Sequence, residues 1–436
     1  MSSESDAGLT RAIGPWTLGA NAVNLSLGAG IFALPAAVAG ILGPSAILAY
    51  LVCGIAIGLV LLCFVEIGST TSRSGGAVAY VEDAFGPMAG FVAWVVYTLV
   101  FCCASSAAIA LVFVDALVPT LPALRAGLPR MGALVLLFGG LAAINIAGVR
   151  QGARTAVATT AVKLAPLVLL IVGGAFALTP ANLQWASWPP AASLGEASLL
   201  LFFAFSGAEA ALTPSGEIDN PARTVPRGIL IGTATLILLY VSIQVVSQGV
   251  LGAGLPLRSE ATLAAVAERI FGPAGWRLMI ACTALATFGT LAGDMLASPR
   301  GFLPVSASGL LPAFVARVHP GFRTPFVAIT LYAGVGCVMA LSGAFRPLAI
   351  LSSGSILIVY LAVCLAVIRR RSFPAPVAGG FRVPGGLAVP LAGVATISWL
   401  LAHTTLIEAV ALASTVIVSV FYYVARVRVM AGRRAS

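Results

Sequence analysis

Apolar residues run through this chain in long stretches separated by short polar or arginine-bearing segments. They show neither the alternation of a half-buried strand nor the one-sided stripe of a surface helix. Runs long enough to cross a bilayer, about 20 residues each, fall at 13–41, 44–71, 88–118, 131–149, 155–178, 193–213, 227–251, 274–298, 325–344, 347–368, 387–403 and 405–425. The pattern predicts an all-α integral membrane protein with twelve transmembrane helices. The last two runs are separated only by His403 to Thr405, and the sixth is interrupted by Ser206-Gly207.

Composition agrees: hydrophobic residues make up 60% and charged residues 9%, with a mean hydropathy of +1.05, against roughly 45–50% apolar and about 25% charged in soluble domains. An even number of spans puts both termini on one side. On that layout seventeen arginines, among them Arg11, Arg73, Arg150, Arg300 and Arg369, share one face, and Arg125, Arg130, Arg258, Arg269, Arg277 and Arg346 take the other. The positive-inside rule then predicts a multi-pass protein of the inner (cytoplasmic) membrane with N- and C-termini in the cytoplasm. The net charge of +10 is explained by that topology and by anionic lipid headgroups, and no basic, aromatic-interleaved patch points to nucleic acid. All seven cysteines lie in apolar segments without metal-type spacing, so packing is their expected role and no metal is expected. Met1 to Thr10 has no basic leader, so no cleaved signal peptide is expected. No phosphate-binding nucleotide loop is visible, which argues against ATP as the energy source, and no cofactor is implied. Of the two histidines, His319 falls in a loop and His403 at the junction of the last two runs, leaving no basis for a histidine-centred membrane enzyme.

Two runs are broken by small residues. The first reads Asn24-Leu25-Ser26-Leu27-Gly28-Ala29-Gly30-Ile31-Phe32, the sixth Phe203-Ala204-Phe205-Ser206-Gly207-Ala208-Glu209. Such breaks free backbone groups, which lipid tolerates only where they line a cavity or bind something. A half-helix starting near Ile31 would aim the N–H groups around Ala29 and Gly30 at an anion. A small-residue seam for helix packing is the other reading of the same glycines. The only lysine of the chain, Lys163, lies in the fifth run; all other basic residues are arginine. An ammonium can lose its proton reversibly when buried and a guanidinium cannot, so Lys163 reads either as a proton carrier or as a lysine reaching for an interface or a carboxylate.

These residues resemble the amino acid–polyamine–organocation superfamily of transporters. The resemblance rests on Gly28-Ala29-Gly30-Ile31-Phe32, on Glu66-Ile67-Gly68-Ser69 followed by Ser74-Gly75-Gly76-Ala77-Val78-Ala79-Tyr80, and on Phe85-Gly86-Pro87. It continues through Asn145 to Arg150, Phe205 to Glu209, Glu217 to Arg227, Pro299-Arg300 and Gly309 to Pro312. Ser72 departs from the usual proline. The resemblance implies a five-plus-five inverted repeat, the leucine-transporter fold, with broken first and sixth helices. Its parts would be a cytoplasmic segment 1–12, repeats 13–178 and 193–371, two extra spans in 387–425 and a tail 426–436. It places substrate on Ser26, Ala29, Gly30, Phe203, Phe205, Ser206 and Gly207, with the phenylalanines packing on or gating it. Lys163-Leu164-Ala165-Pro166-Leu167 matches the segment that replaces a sodium site in proton-coupled members, and Glu209 matches a glutamate that couples protonation to conformation.

Asp294 stands where some members carry a substrate-facing tryptophan. An acid there needs a partner, and a cationic or amine-bearing substrate, Lys163 and trapped water are all open. Glu66 and Asp115 read as interfacial, and Glu408 lies outside the transport core. The expected function is secondary active transport of amino acids or related amines by alternating access, proton-coupled and sodium-independent, with substrate exchange as the alternative and a transporter-like sensor as the reading from another class. The partners are a small-molecule substrate, protons and the bilayer; the sequence leaves oligomeric state open.

Overall fold

A computed structural model describes residues 12–70, 75–148, 153–185, 187–213, 215–372 and 381–435, with side chains 153–162, 372 and 433–435 left aside. Arg11, Arg73, Val149-Arg150 and the Ser72–Ser74 part of the loop motif lie outside the described residues. The helices are α1 (Pro15–Ser26), α2 (Gly30–Leu42), α3 (Ile47–Gly68), α4 (Gly76–Phe85), α5 (Pro87–Trp94), α6 (Cys103–Leu117), α7 (Gly127–Ile146) and α8 (Ala153–Ala177). They continue with α9 (Ala191–Phe205), α10 (Pro221–Leu251), α11 (Thr262–Ala297), α12 (Phe302–Ala307), α13 (Phe326–Ser342), α14 (Phe345–Ser372), α15 (Ala388–Leu401) and α16 (Leu406–Ala435). Among the described residues there is no strand, only a single bridge between Ile13 and Ile218.

Among the described residues each of the twelve apolar runs is mostly helical, and eight helical segments are long and apolar enough to cross a membrane by length and composition. One of these, Gly30–Gly68, holds α2 and α3 joined through a 3-10 turn, while Lys163–Ala177, Phe326–Ser342 and Ala388–Leu401 are shorter apolar helices. Three boundaries differ from expectation. Helix α11 begins at Thr262 and kinks at Gly272 (φ 69°), because an amphipathic stretch precedes the apolar run. Helix α16 continues to Ala435, through the segment set aside above as a tail. The third run is divided by a π-helix, Val95–Cys102, between α5 and α6, for which hydropathy holds no signal.

Helix α1 lies close against α10. A Cβ on Gly19 would come 3.0 Å from the Gly228 carbonyl oxygen, and one on Gly232 would come 3.0 Å from the Ala22 methyl. Small residues four apart, Gly228 and Gly232, thus let two backbones approach as they do between membrane helices generally. The chain before α1 is tied to the loop after the sixth run: Ala12 and Ile13 N–H donate to Glu217 O at 3.0 and 3.1 Å, and Asp219 N–H returns to Ile13 O at 3.1 Å. This binds the entry of the first broken run to the exit of the sixth.

Candidate functional site

The first run breaks at Leu27–Ala29, between α1 and α2. Turning the chain here leaves backbone groups unpaired: among the described residues the N–H groups of Ala29 and Gly30 donate to no backbone carbonyl. The sixth run breaks at Ser206-Gly207, after which only a 3-10 turn, Ala208–Leu212, continues it. Gly207 sits at φ 111°, a conformation L side chains rarely adopt, and a Cβ there would stand 3.0 Å from Leu25 O. Its N–H donates to Glu209 Oε2 at 2.9 Å, and the Ser206 carbonyl accepts nothing among the described residues.

Tyr240 of α10 joins the breaks. Its hydroxyl lies 2.8 Å from Ser26 O and 2.9 Å from Ala204 O, one proton shared between the last turns of α1 and α9. Phe205 packs edge-on against this ring at 4.9 Å and against Tyr50 at 6.4 Å, so it supports the junction from behind. Phe203 meets Phe345 at the start of α14, 5.8 Å between centroids. Ser206 Oγ is spent on Phe203 O at 2.9 Å. Ser26 Oγ and Asn24 Oδ1 are buried with no partner among the described residues. Gly30 answers to packing: a Cβ there would fall 2.6 Å from the Ala204 methyl and 2.7 Å from its Cα. Its bare backbone is therefore required by α9 whether or not a ligand approaches it.

Lys163 points at the first break. Its Nζ donates to Thr290 Oγ1 of α11 at 3.0 Å, to Leu27 O at 3.3 Å and to Asn24 O at 3.5 Å. The ammonium, 6% exposed, thus ties the fifth and eighth runs to the carbonyl end of α1, where a helix dipole and unpaired carbonyls favour a cation. It takes three acceptors, the full complement of its donors.

Asp294 does not meet Lys163, one of the three partners left open for it. Its Oδ2 accepts from Ser106 of α6 and from Tyr332 of α13, and its Oδ1 accepts from Ser298 at 2.5 Å. Lys163 sits with Thr290, one helical turn away. Glu209 receives the Tyr360 hydroxyl at 2.5 Å on the oxygen that also takes Gly207 N–H, while its Oε1 has no partner among the described residues. Glu66 and Asp115 are partnered by Arg371 and Arg130. Glu408 and Thr405 cap α16 reciprocally, Thr405 N–H to Glu408 Oε2 at 2.8 Å and Glu408 N–H to Thr405 Oγ1 at 3.3 Å.

Sequence reasoning missed Tyr240, Tyr332, Tyr360, Thr290, Ser106 and Ser298. One signal was available for the tyrosines: a buried phenol needs a polar partner, and each of these three is less than 2% exposed. Among the described residues no cluster of histidine, cysteine and carboxylate could hold a metal ion.

Residues 13–429 match the family described as amino acid permease. The chain is 29% identical over 381 residues to the serine/threonine exchanger SteT of Bacillus subtilis, covering 84% of this chain and 85% of that protein. It is 30% identical over 319 residues to the large neutral amino acids transporter small subunit 2 of Mus musculus, covering 70% of this chain and 59% of that one. The chloroplastic cationic amino acid transporter 9 of Arabidopsis thaliana is 29% identical over 348 residues, 73% of this chain and 59% of the plant protein.

Proposed function

Because the chain belongs to the amino acid permease family, we propose that it is a secondary transporter of neutral amino acids, proton-coupled and independent of sodium, working by alternating access on twelve spans arranged as two inverted repeats with both termini in the cytoplasm. The observation that carries the reading is the lone ammonium seated on the carbonyls of the first break. The substrate carboxylate binds the open N–H groups of Ala29 and Gly30 at the start of α2, where the helix dipole favours an anion. The substrate ammonium binds the open Ser206 carbonyl across the break. Both buried carboxylates are already engaged, Asp294 by three hydroxyls and Glu209 by an N–H and a phenol. Neither is set to receive a second cationic group, which supports neutral substrates although one relative is named for cationic ones.

Protonated Lys163 holds α1 to α8 and α11 through its contacts with Asn24 O, Leu27 O and Thr290 Oγ1. Release of its proton removes one N–H donor and the positive charge from that junction and frees α1 to tilt, opening the site to one side. A cation in this place repels a second one, which supports independence from sodium. Exchange of one amino acid for another is the second reading, favoured by the SteT relative and by the three acceptors that let Lys163 serve as a permanent cation. Purified protein in proteoliposomes tests both. Labelled neutral amino acids should accumulate when the outside is made acid, without sodium, whereas uptake that needs only internal substrate would select exchange. Vesicles that move no amino acid in either mode would end the transport reading.

A further inference from the structure

Asp294 has no part in the cycle just described, yet it is held in a cluster of hydroxyls. Three hydroxyls surround its carboxylate: Ser106 from α6, Tyr332 from α13 and Ser298 from the 3-10 turn that follows α11. The Ser106 and Tyr332 oxygens are themselves 3.3 Å apart. Every partner is thus a group that both donates and accepts and whose proton rotates.

That chemistry separates Asp294 from the other buried acid. Glu209 has mixed partners, the Gly207 N–H, which can only donate, and the single hydroxyl of Tyr360. A carboxylate seated on hydroxyls accepts three O–H bonds when ionised. After taking a proton it donates to one of the same oxygens, and that hydroxyl turns its own hydrogen to a neighbour. The cradle remains hydrogen-bonded in both states, which removes the cost of about 1–3 kcal/mol that a stranded buried polar group would otherwise carry. The titratable groups facing Asp294 are Tyr97, Cys102 and Cys103 from the third run and Tyr332 from α13; Tyr97 and Cys102 also lie within electrostatic reach of Glu209. Lys163 stands one turn away, on Thr290. None of the facing groups is a cation that would hold Asp294 permanently as the anion.

We propose that Asp294 is a second proton-binding site of the transporter, taking a proton from hydronium in the water that reaches it when the site opens, leaving water behind, and returning it to water later in the cycle. Its part in coupling rests on the transport reading; its proton binding does not. Infrared difference spectra of the purified full-length protein between about pH 4 and about pH 9 read it directly through the carbonyl stretch of a protonated carboxylic acid. The wild type should show such a band, Asp294→Asn should lose it, and Glu209→Gln should keep it. The double change Ser106→Ala with Tyr332→Phe leaves the carboxyl in place and should move the pH midpoint of the band, so the test survives if Asp294→Asn does not fold. A band unaffected by Asp294→Asn, or one whose midpoint ignores loss of the cradle, overturns the proposal. In proteoliposomes Asp294→Asn should carry one fewer proton per substrate, and an unchanged ratio removes Asp294 from coupling. Vesicles in which the wild type moves nothing would sink transport while leaving the infrared result standing.

Discussion

The first and sixth breaks are made from the same kinds of residue and end in opposite electrostatic states. At the first, Lys163 occupies carbonyls of the α1 end and the N–H groups of Ala29 and Gly30 stay open. At the sixth, Glu209 folds back on the Gly207 N–H and the Ser206 carbonyl stays open. One break offers donors and the other an acceptor, and an amino acid zwitterion needs one of each. Glycine permits a break, but the charged side chain recruited to it decides which backbone groups remain for a ligand. Tyr240 keeps the two at fixed separation by sharing its hydroxyl between Ser26 O and Ala204 O.

The largest effect should come from removing the charge at the first break. Lys163→Met should reduce pH-driven accumulation to the level of protein-free vesicles while the protein remains folded and inserted. Exchange measured in the same vesicles sharpens the result. Exchange that survives isolates the proton role, whereas loss of both modes makes the ammonium a fixed cation needed for the closed geometry. Full pH-driven accumulation in the mutant would remove Lys163 from the mechanism.

The second test asks what the first break's glycine is for. Gly30→Ala drives a methyl into Ala204 and should destabilise the protein by about 1–3 kcal/mol. Adding Ala204→Gly restores the space, and residues in contact couple strongly in such cycles. Stability should return in the double variant, measured by thermal unfolding. If amino acid binding returns with it, Gly30 serves packing alone; if binding stays lost, the ligand also needs a bare backbone there. A double variant as unstable as the single one would show that Ala204 is not the obstacle.

These comparisons also show what a sequence can and cannot reveal. The breaks were legible because glycine and serine inside an apolar run leave lipid no other way to satisfy the backbone. Lys163 was legible because it is the only ammonium in the chain. Its partners were not, since Asn24 O and Leu27 O are backbone atoms that carry no residue signature. Tyr240, Tyr332 and Tyr360 hid because a tyrosine in an apolar run looks like packing until its hydroxyl is placed. Asp294 was correctly singled out as an acid needing a partner. Its partners were not legible, because the residues that satisfy it, Ser106, Tyr332 and Ser298, come from three places in the chain and are common in membrane helices. The Gly30 motif was read for its backbone, and only the position of Ala204 in space reveals its packing constraint.

A smaller effect is expected from the link between the breaks. Tyr240→Phe keeps the ring against Phe205 but removes the shared hydroxyl, at a cost of about 0.5–1.5 kcal/mol in stability. Substrate affinity should fall by roughly tenfold, because both faces of the zwitterion site lose their common reference. Affinity within twofold of wild type, by thermal shift or direct binding, would mean that the separation of the breaks is set by helix packing alone.

The smallest effect on ligand choice should come from Asp294. A carboxylate that met the side chain of a cationic amino acid would contribute about 1.5–3 kcal/mol to it and nothing comparable to a neutral one. Asp294→Asn would then weaken the cationic ligand selectively, by roughly tenfold or more. In this protein three of the approximately four acceptor positions of the carboxylate are already filled by Ser106, Tyr332 and Ser298. A ligand cation would have to displace hydroxyls that the fold supplies at no cost in ligand ordering. The expected ratio of affinities for one neutral and one cationic amino acid is therefore the same in wild type and Asp294→Asn, within about threefold. A selective loss for the cationic ligand would move Asp294 into the substrate site and make the contrast between the two breaks incomplete, since a third charged group would then take part in choosing what they hold.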